Sequence, residues 1–161
     1  MPSRTRSLLL LTVLAVAAGC TSPVLARTSA PGTVHARVLA GAGGSRLLIV
    51  PVFIASHGPY DFALDTGAAR SVVDSRLASQ LRLPSTGTEQ AVTGVSGTSE
   101  AQRVRVSSWR VDAVPLPDTT ILSLRLPAGG GPDLAGLLGS DMLSRYRTVT
   151  IDYGGGTVTL R

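Results

Sequence analysis

Lysine is absent: all 15 basic residues of the 161-residue chain are arginine. That uniformity reads as a compositional bias, not as a site. Cysteine occurs once, as Cys20, so no intrachain disulfide can staple the fold. Aromatics make up only 4% of the chain against 43% hydrophobic residues, so a core has to be built from Val, Leu, Ile and Ala. Histidine occurs twice, as His35 and His57. Neither has a second His or a Cys nearby at metal-ligand spacing, so both read as solvent-exposed and no metal is expected. The chain also lacks a Gly-x-Ser-x-Gly elbow, a zinc-type His-Glu pair and a catalytic cysteine setting. Gly41-Ala-Gly-Gly44 is not followed by Lys-Ser/Thr, which excludes a phosphate loop and leaves a hairpin turn.

The net charge of +5 is less basic than it looks. Arg4 and Arg6 lie in an N-terminal leader, leaving 13 Arg against 10 acidic residues, a net charge of +3. The remaining arginines are scattered with no aromatic interleaving, so nucleic acid is not expected as a partner.

What is present is punctuation. Eighteen Gly and ten Pro in one domain's length favour many short strands over long helices. Residues 1–20 read as a signal peptide: a basic start, an apolar stretch from Leu8 to Ala18, then Val16-Ala-Ala-Gly-Cys20. That ending resembles a bacterial lipoprotein signal, which implies lipidation of Cys20, a membrane anchor and an envelope location. Ala17 departs from the larger aliphatic residue usual there, and cleavage after Val24-Leu25-Ala26 is the alternative. Both readings export the protein. Residues 21–33, rich in Ser, Thr, Pro and Ala, read as a flexible linker, and residues 34–161 as the folded domain.

Within the domain, alternation over Val34, Ala36, Val38 and Ala40 predicts a first strand. Leu47 to Ser56 predicts a second, Ser56-His-Gly-Pro59 a turn, and Tyr60 to Leu64 the return strand. Ser71 to Asp74 reads as a short strand, with Ser75 capping a helix that ends before Pro84. Glu89 to Arg105 reads as a hairpin with a Gly-rich tip at Gly94-Val95-Ser96-Gly97. Trp109 is expected to fill the core or an interface, not to stack on a substrate. Ser140 is placed to cap a second short helix with Asp141 in its first turn, and residues 148–161 form a final hairpin that could pair between subunits. The result is an all-β, barrel-like domain with one or two short helices.

The chemistry concentrates in Phe62-Ala-Leu-Asp-Thr-Gly-Ala68. An ionised carboxylate directly after an apolar strand is costly unless donors meet it. Thr66 supplies a hydroxyl, and Gly67 allows a tight turn that brings a backbone N–H to Asp65. An ordinary Asp-Thr-Gly turn would use the same residues. Asp61, four residues earlier, could form a carboxylate pair with Asp65, but its place beside a turn makes solvation the plainer explanation.

Leu64-Asp65-Thr66-Gly67-Ala68, with Ser71-Val72-Val73 behind it and Leu137-Leu138-Gly139 far downstream, resembles the single-lobe, retropepsin-like aspartic protease family. The resemblance covers roughly residues 46–160. It implies a single-lobe barrel, Asp65 as the catalytic acid, Thr66 bonding across a dimer, and Gly67 and Ala68 shaping the loop. It also implies Leu137, Leu138 and Gly139 packed beside that loop, and Gly94, Val95, Ser96 and Gly97 as the flap. The family's chemistry needs two carboxylates sharing a proton, and the chain has a single Asp-Thr-Gly. A homodimer acting on a peptide or protein substrate, with no cofactor, is therefore expected. Ala68 stands where some members have Ser, and without a hydroxyl there a mildly acidic or neutral optimum is expected. A non-catalytic peptide-binding lipoprotein module of the same fold is the other reading.

Overall fold

The computed structural model describes residues 31–40, 42–94, 97–126 and 133–161. The expected leader with Cys20, and Val95 and Ser96 of the expected flap, lie outside the described residues.

The backbone of the domain is β3 (Arg46–Ile54) and β4 (His57–Leu64), an antiparallel pair. Alternate residues Leu48, Val50, Val52 and Ile54 join the main core, and Ile49 between them is buried as well. Pro51 in mid-strand costs nothing, because β3 changes partner there. β2 (Arg37–Ala40) covers Arg46–Ile49, and β8 (Trp109–Val111) covers Val52–Ile54. The carbonyl of Pro51 faces that gap and accepts from Asp112 N at 2.7 Å, so the missing N–H falls where no strand needs it.

The turn between β3 and β4 is Ala55-Ser56, both at positive φ (47° and 69°). It is shorter than the expected Ser56–Pro59 turn, and His57, Gly58 and Pro59 start β4 instead. A two-residue hairpin with left-handed residues matches the twist of the strands better than a longer loop.

From β4 the chain passes through residues 65–71 into β5 (Val72–Asp74) and α1 (Ser75–Gln80). Asp74, not Ser75, caps α1: its side chain accepts from Arg76 N. A long hairpin follows, β6 (Ser85–Gly94) and β7 (Gly97–Val106), whose last pair is Gly94 with Gly97. β8 and β9 (Val114–Leu116) form a tight hairpin, and β10 (Thr119–Leu124) returns beside β7. The sole Trp, Trp109, is buried and donates from Nε1 to Pro117 O at 2.9 Å.

β11 (Gly136–Leu138) inserts between β4, to which it is parallel, and β5, to which it is antiparallel. Gly136 is required there: a Cβ would meet the Phe62 ring and, at 2.5 Å, the carbonyl of Val72. α2 (Ser140–Leu143) follows directly. The large sheet runs β6-β7-β10-β5-β11-β4-β3-β8-β9, with β2 on β3.

A second sheet has the order β1-β13-β12, from β1 (Gly32–His35), β12 (Val149–Asp152) and β13 (Thr157–Leu160). Val34, Val158 and Leu160 join the main core, with Val149 and Ile151 packed against it. The alternating run at residues 34–40 is thus two strands in two sheets, broken at Ala36, whose N–H bonds Gly156 O at 2.8 Å. The final hairpin is not open on both sides: β13 bonds β1 and β12 within the chain. Among the described residues, the outer edges of β1 and β12 are the ones this sheet leaves unpaired.

Candidate active site

The loop 65–71 joins two strands that flank the same neighbour, β11. Parallel pairing sets Leu138 opposite Leu64, and Asp65 N continues the ladder to Leu138 O at 3.0 Å. The apolar strand carries the acid to the edge of the core and β11 stops it there. Asp65 is half-buried. Its Oδ1 accepts from Gly67 N at 2.9 Å and Ala68 N at 3.2 Å. Two backbone donors on one oxygen orient the carboxylate and leave Oδ2 without a hydrogen bond among the described residues. Thr66 and Gly67 are exposed, and Ala68 is half-buried.

Leu137-Leu138-Gly139 lies against this loop. A Cβ on Gly139 would stand 2.7 Å from the carbonyl carbon of Arg70, 2.8 Å from its oxygen and 2.9 Å from Ala68 O, so only glycine lets the backbones meet. Sequence reasoning identified the element and not the reason for its glycine.

It also missed the contact between Ser71 and Asp141, which are 70 residues apart. Ser71 is fully buried. Its N–H and Oγ both donate to Asp141 Oδ1, at 2.9 and 2.6 Å, and its Oγ accepts from Gly139 N at 2.9 Å. Asp141 is therefore more than a charge in the first turn of a helix. Ser140, expected as the cap, is the first helical residue, and the cap position falls to Gly139 without a side-chain bond. Ser140 N and Oγ instead donate to Ala68 O at 2.8 and 3.0 Å. No signal in the sequence pairs these residues, since each bond spans about half the chain.

Elsewhere, Asp61 is ion-paired with the half-exposed Arg37, so it does not join Asp65 as a second acid. Asp74 is buried. Burial pushes its carboxyl up, but hydrogen bonds from Arg76 Nε (2.9 Å), Leu126 N (3.0 Å) and Arg76 N (2.9 Å) outweigh it and bring the pKa to about 2. The Asp112 carboxyl is also lowered, chiefly by the N–H and ring of His35 at 2.9 and 2.8 Å. Of the four residues expected to form a flap, Gly94 and Gly97 are the last pair of the β6–β7 hairpin, and Val95 and Ser96 lie outside the described residues.

A retropepsin-like aspartic protease from Rickettsia conorii superposes with a TM-score of 0.52 at 20% identity, covering 82% of this chain and 92% of that one. The EIAV protease in complex with an inhibitor gives a TM-score of 0.47 at 22% identity, covering 66% of this chain and 92% of the other. The retroviral protease-like domain of Ddi1 from Leishmania major gives 0.45 at 19%, covering 66% and 82%. The fold is the single-lobe, retropepsin-like one. No curated protein sequence matches the chain. Residues 50–142, more than half of the chain, match the aspartyl protease family model, and the chain belongs to that family.

Proposed function

We propose that the protein is an exported aspartic endopeptidase, tethered to a membrane through a lipid on Cys20 and active as a homodimer. One observation carries the reading. Asp65 is a half-buried carboxylate, aimed by the amides of Gly67 and Ala68, on the chain's single Asp-Thr-Gly loop.

Two carboxylates within about 3 Å cannot both ionise, so such a dyad shares one proton. The ionised member takes a proton from water as the water attacks the amide carbonyl, and the protonated member polarises that carbonyl. With one Asp65 per chain, the second comes from a second copy, and the site sits on a two-fold axis. Water is the nucleophile, and the scheme calls for no cofactor. Thr66 bonds across the axis, and the Gly94–Gly97 tip closes over an extended peptide.

One observation favours the non-catalytic, peptide-binding reading. β13 is saturated within its own chain, which narrows the strand edges on offer for a dimer. The test is cleavage of a peptide library from pH 4 to 8 by the wild type and by Asp65→Asn, with sizing chromatography alongside. Cleavage by a dimer that disappears in the variant supports the protease. A folded monomer that binds peptides and cleaves none replaces it with the binding module.

A further inference from the structure

The loop 65–71 and the segment 138–141 run side by side and are joined at regular intervals. Asp65 N bonds Leu138 O (3.0 Å), Ala68 O accepts from Ser140 N and Oγ, and Ser71 bonds Gly139 N and Asp141. The first join carries the acid and the second carries an amide that points at it. The third closes the loop. Every polar group of Ser71 is used: N–H and Oγ on Asp141, Oγ again from Gly139 N, and its carbonyl from Leu122 N at 3.0 Å. Ser71 is thus the buried crossing point of the loop, β10 and the start of α2, and Asp141 Oδ1 takes both of its donors.

We infer that Asp141 is a positioning residue for Asp65, acting through Ser71. Its carboxylate anchors the downstream end of the acid's loop to the segment that anchors the upstream end. The Gly67 and Ala68 amides stay aimed at Asp65 only while both ends are fixed. The inference deepens the protease reading and rests on it for its kinetic consequence. Its structural consequence, order in the loop, is read without catalysis.

An acceptor oxygen, not a charge, is what Ser71 needs. Asp141→Asn keeps that oxygen and Asp141→Ala removes it. In the full-length protein, under conditions where urea titration finds each variant fully folded, Asp141→Ala should lose about 10- to 100-fold in kcat with KM nearly unchanged, the scale of a small misplacement of a reacting group. Asp141→Asn should restore kcat to within about threefold of wild type, since a neutral acceptor still satisfies both donors. Hydrogen exchange at the Gly67 and Ala68 amides should quicken about tenfold or more in Asp141→Ala and stay near wild type in Asp141→Asn, as expected of a local opening. Ser71→Ala serves as the second variant if Asp141→Ala does not fold, and should behave like it. A folded Asp141→Ala with wild-type kcat and wild-type protection at both amides overturns the inference. So does a loss of stability alone, with the folded fraction fully active. If the wild type cleaves no peptide, the protease reading fails, and the exchange experiment alone upholds or overturns the anchoring.

Discussion

Asp74 links three parts of the fold, and its removal should show in stability as a function of pH. Its carboxylate ends β5, caps α1 and reaches Leu126 N beyond the end of β10. Oδ1 accepts from Arg76 N and Nε, and Oδ2 accepts from Arg76 Nη2 at 3.2 Å and Leu126 N at 3.0 Å. With the pKa brought from 3.8 to about 2, the ionised form is favoured in the folded state. The difference corresponds to about 2 kcal/mol. Because the folded value lies below the unfolded one, this stabilisation is complete above the unfolded value and is lost as pH falls through about 2. Asp74→Asn keeps the shape but turns an amide NH2 toward donors. At pH 7 it should cost about 2–4 kcal/mol, the linkage contribution plus part of an unsatisfied buried N–H. Urea denaturation of both proteins between pH 7 and pH 2 measures the gap. It should narrow by about 2 kcal/mol across the acid limb, while Asp112 and the other acids cancel in the difference. A gap that stays flat from pH 6 to pH 2, or a variant as stable as wild type at pH 7, would refute the ion-pair account.

Gly139→Ala should destabilise by about 1–3 kcal/mol, because its methyl meets backbone at Ala68 and Arg70 that no rotamer change can move aside. The folded fraction should also lose most of its cleavage, and comparing calorimetry with active-site titration separates the two effects. Peptide cleavage should be fastest at mildly acidic to neutral pH, since Ala68 offers Asp65 an amide but no hydroxyl. A pH–rate profile peaking below about pH 3, where strongly acid dyads work, contradicts this. Specific activity should fall on dilution, and excess Asp65→Asn chain mixed into a fixed amount of wild type should suppress it through inactive mixed dimers. Activity strictly proportional to wild-type concentration in both experiments means that one chain suffices.

Much of the site was legible because its signal is local. Leu64-Asp65-Thr66-Gly67-Ala68 and Leu137-Leu138-Gly139 are short strings whose residue types already state what the backbone must do: leave the core, turn tightly, and pass close to a neighbour. The strands around them showed as apolar runs bounded by turn residues, as in Leu47 to Ile54. The turn at Ala55-Ser56 did not show, because Gly58 and Pro59 are the stronger turn residues and yet lie in β4. The caps were displaced by one residue for a related reason. Ser75 and Ser140 carry good capping side chains, but the cap at α1 is Asp74, and at α2 the Ser140 hydroxyl serves Ala68 instead.

What the sequence by itself determined is the set of chemical parts: one acid on one Asp-Thr-Gly loop, a glycine-bearing partner segment, and a β-rich domain without disulfides. These follow from residue type and near-neighbour spacing, which need no knowledge of the rest of the chain. Tertiary structure alone decided which parts touch. It split residues 32–40 between two sheets, closed β13 on both sides, and took Asp61 away from Asp65 by pairing it with Arg37. It also joined Ser71 to Asp141 across 70 residues. Such contacts arise where folding brings distant segments into one small volume. Each buried donor must then find an acceptor among whatever has arrived there, and nothing in either residue's own neighbourhood names its partner.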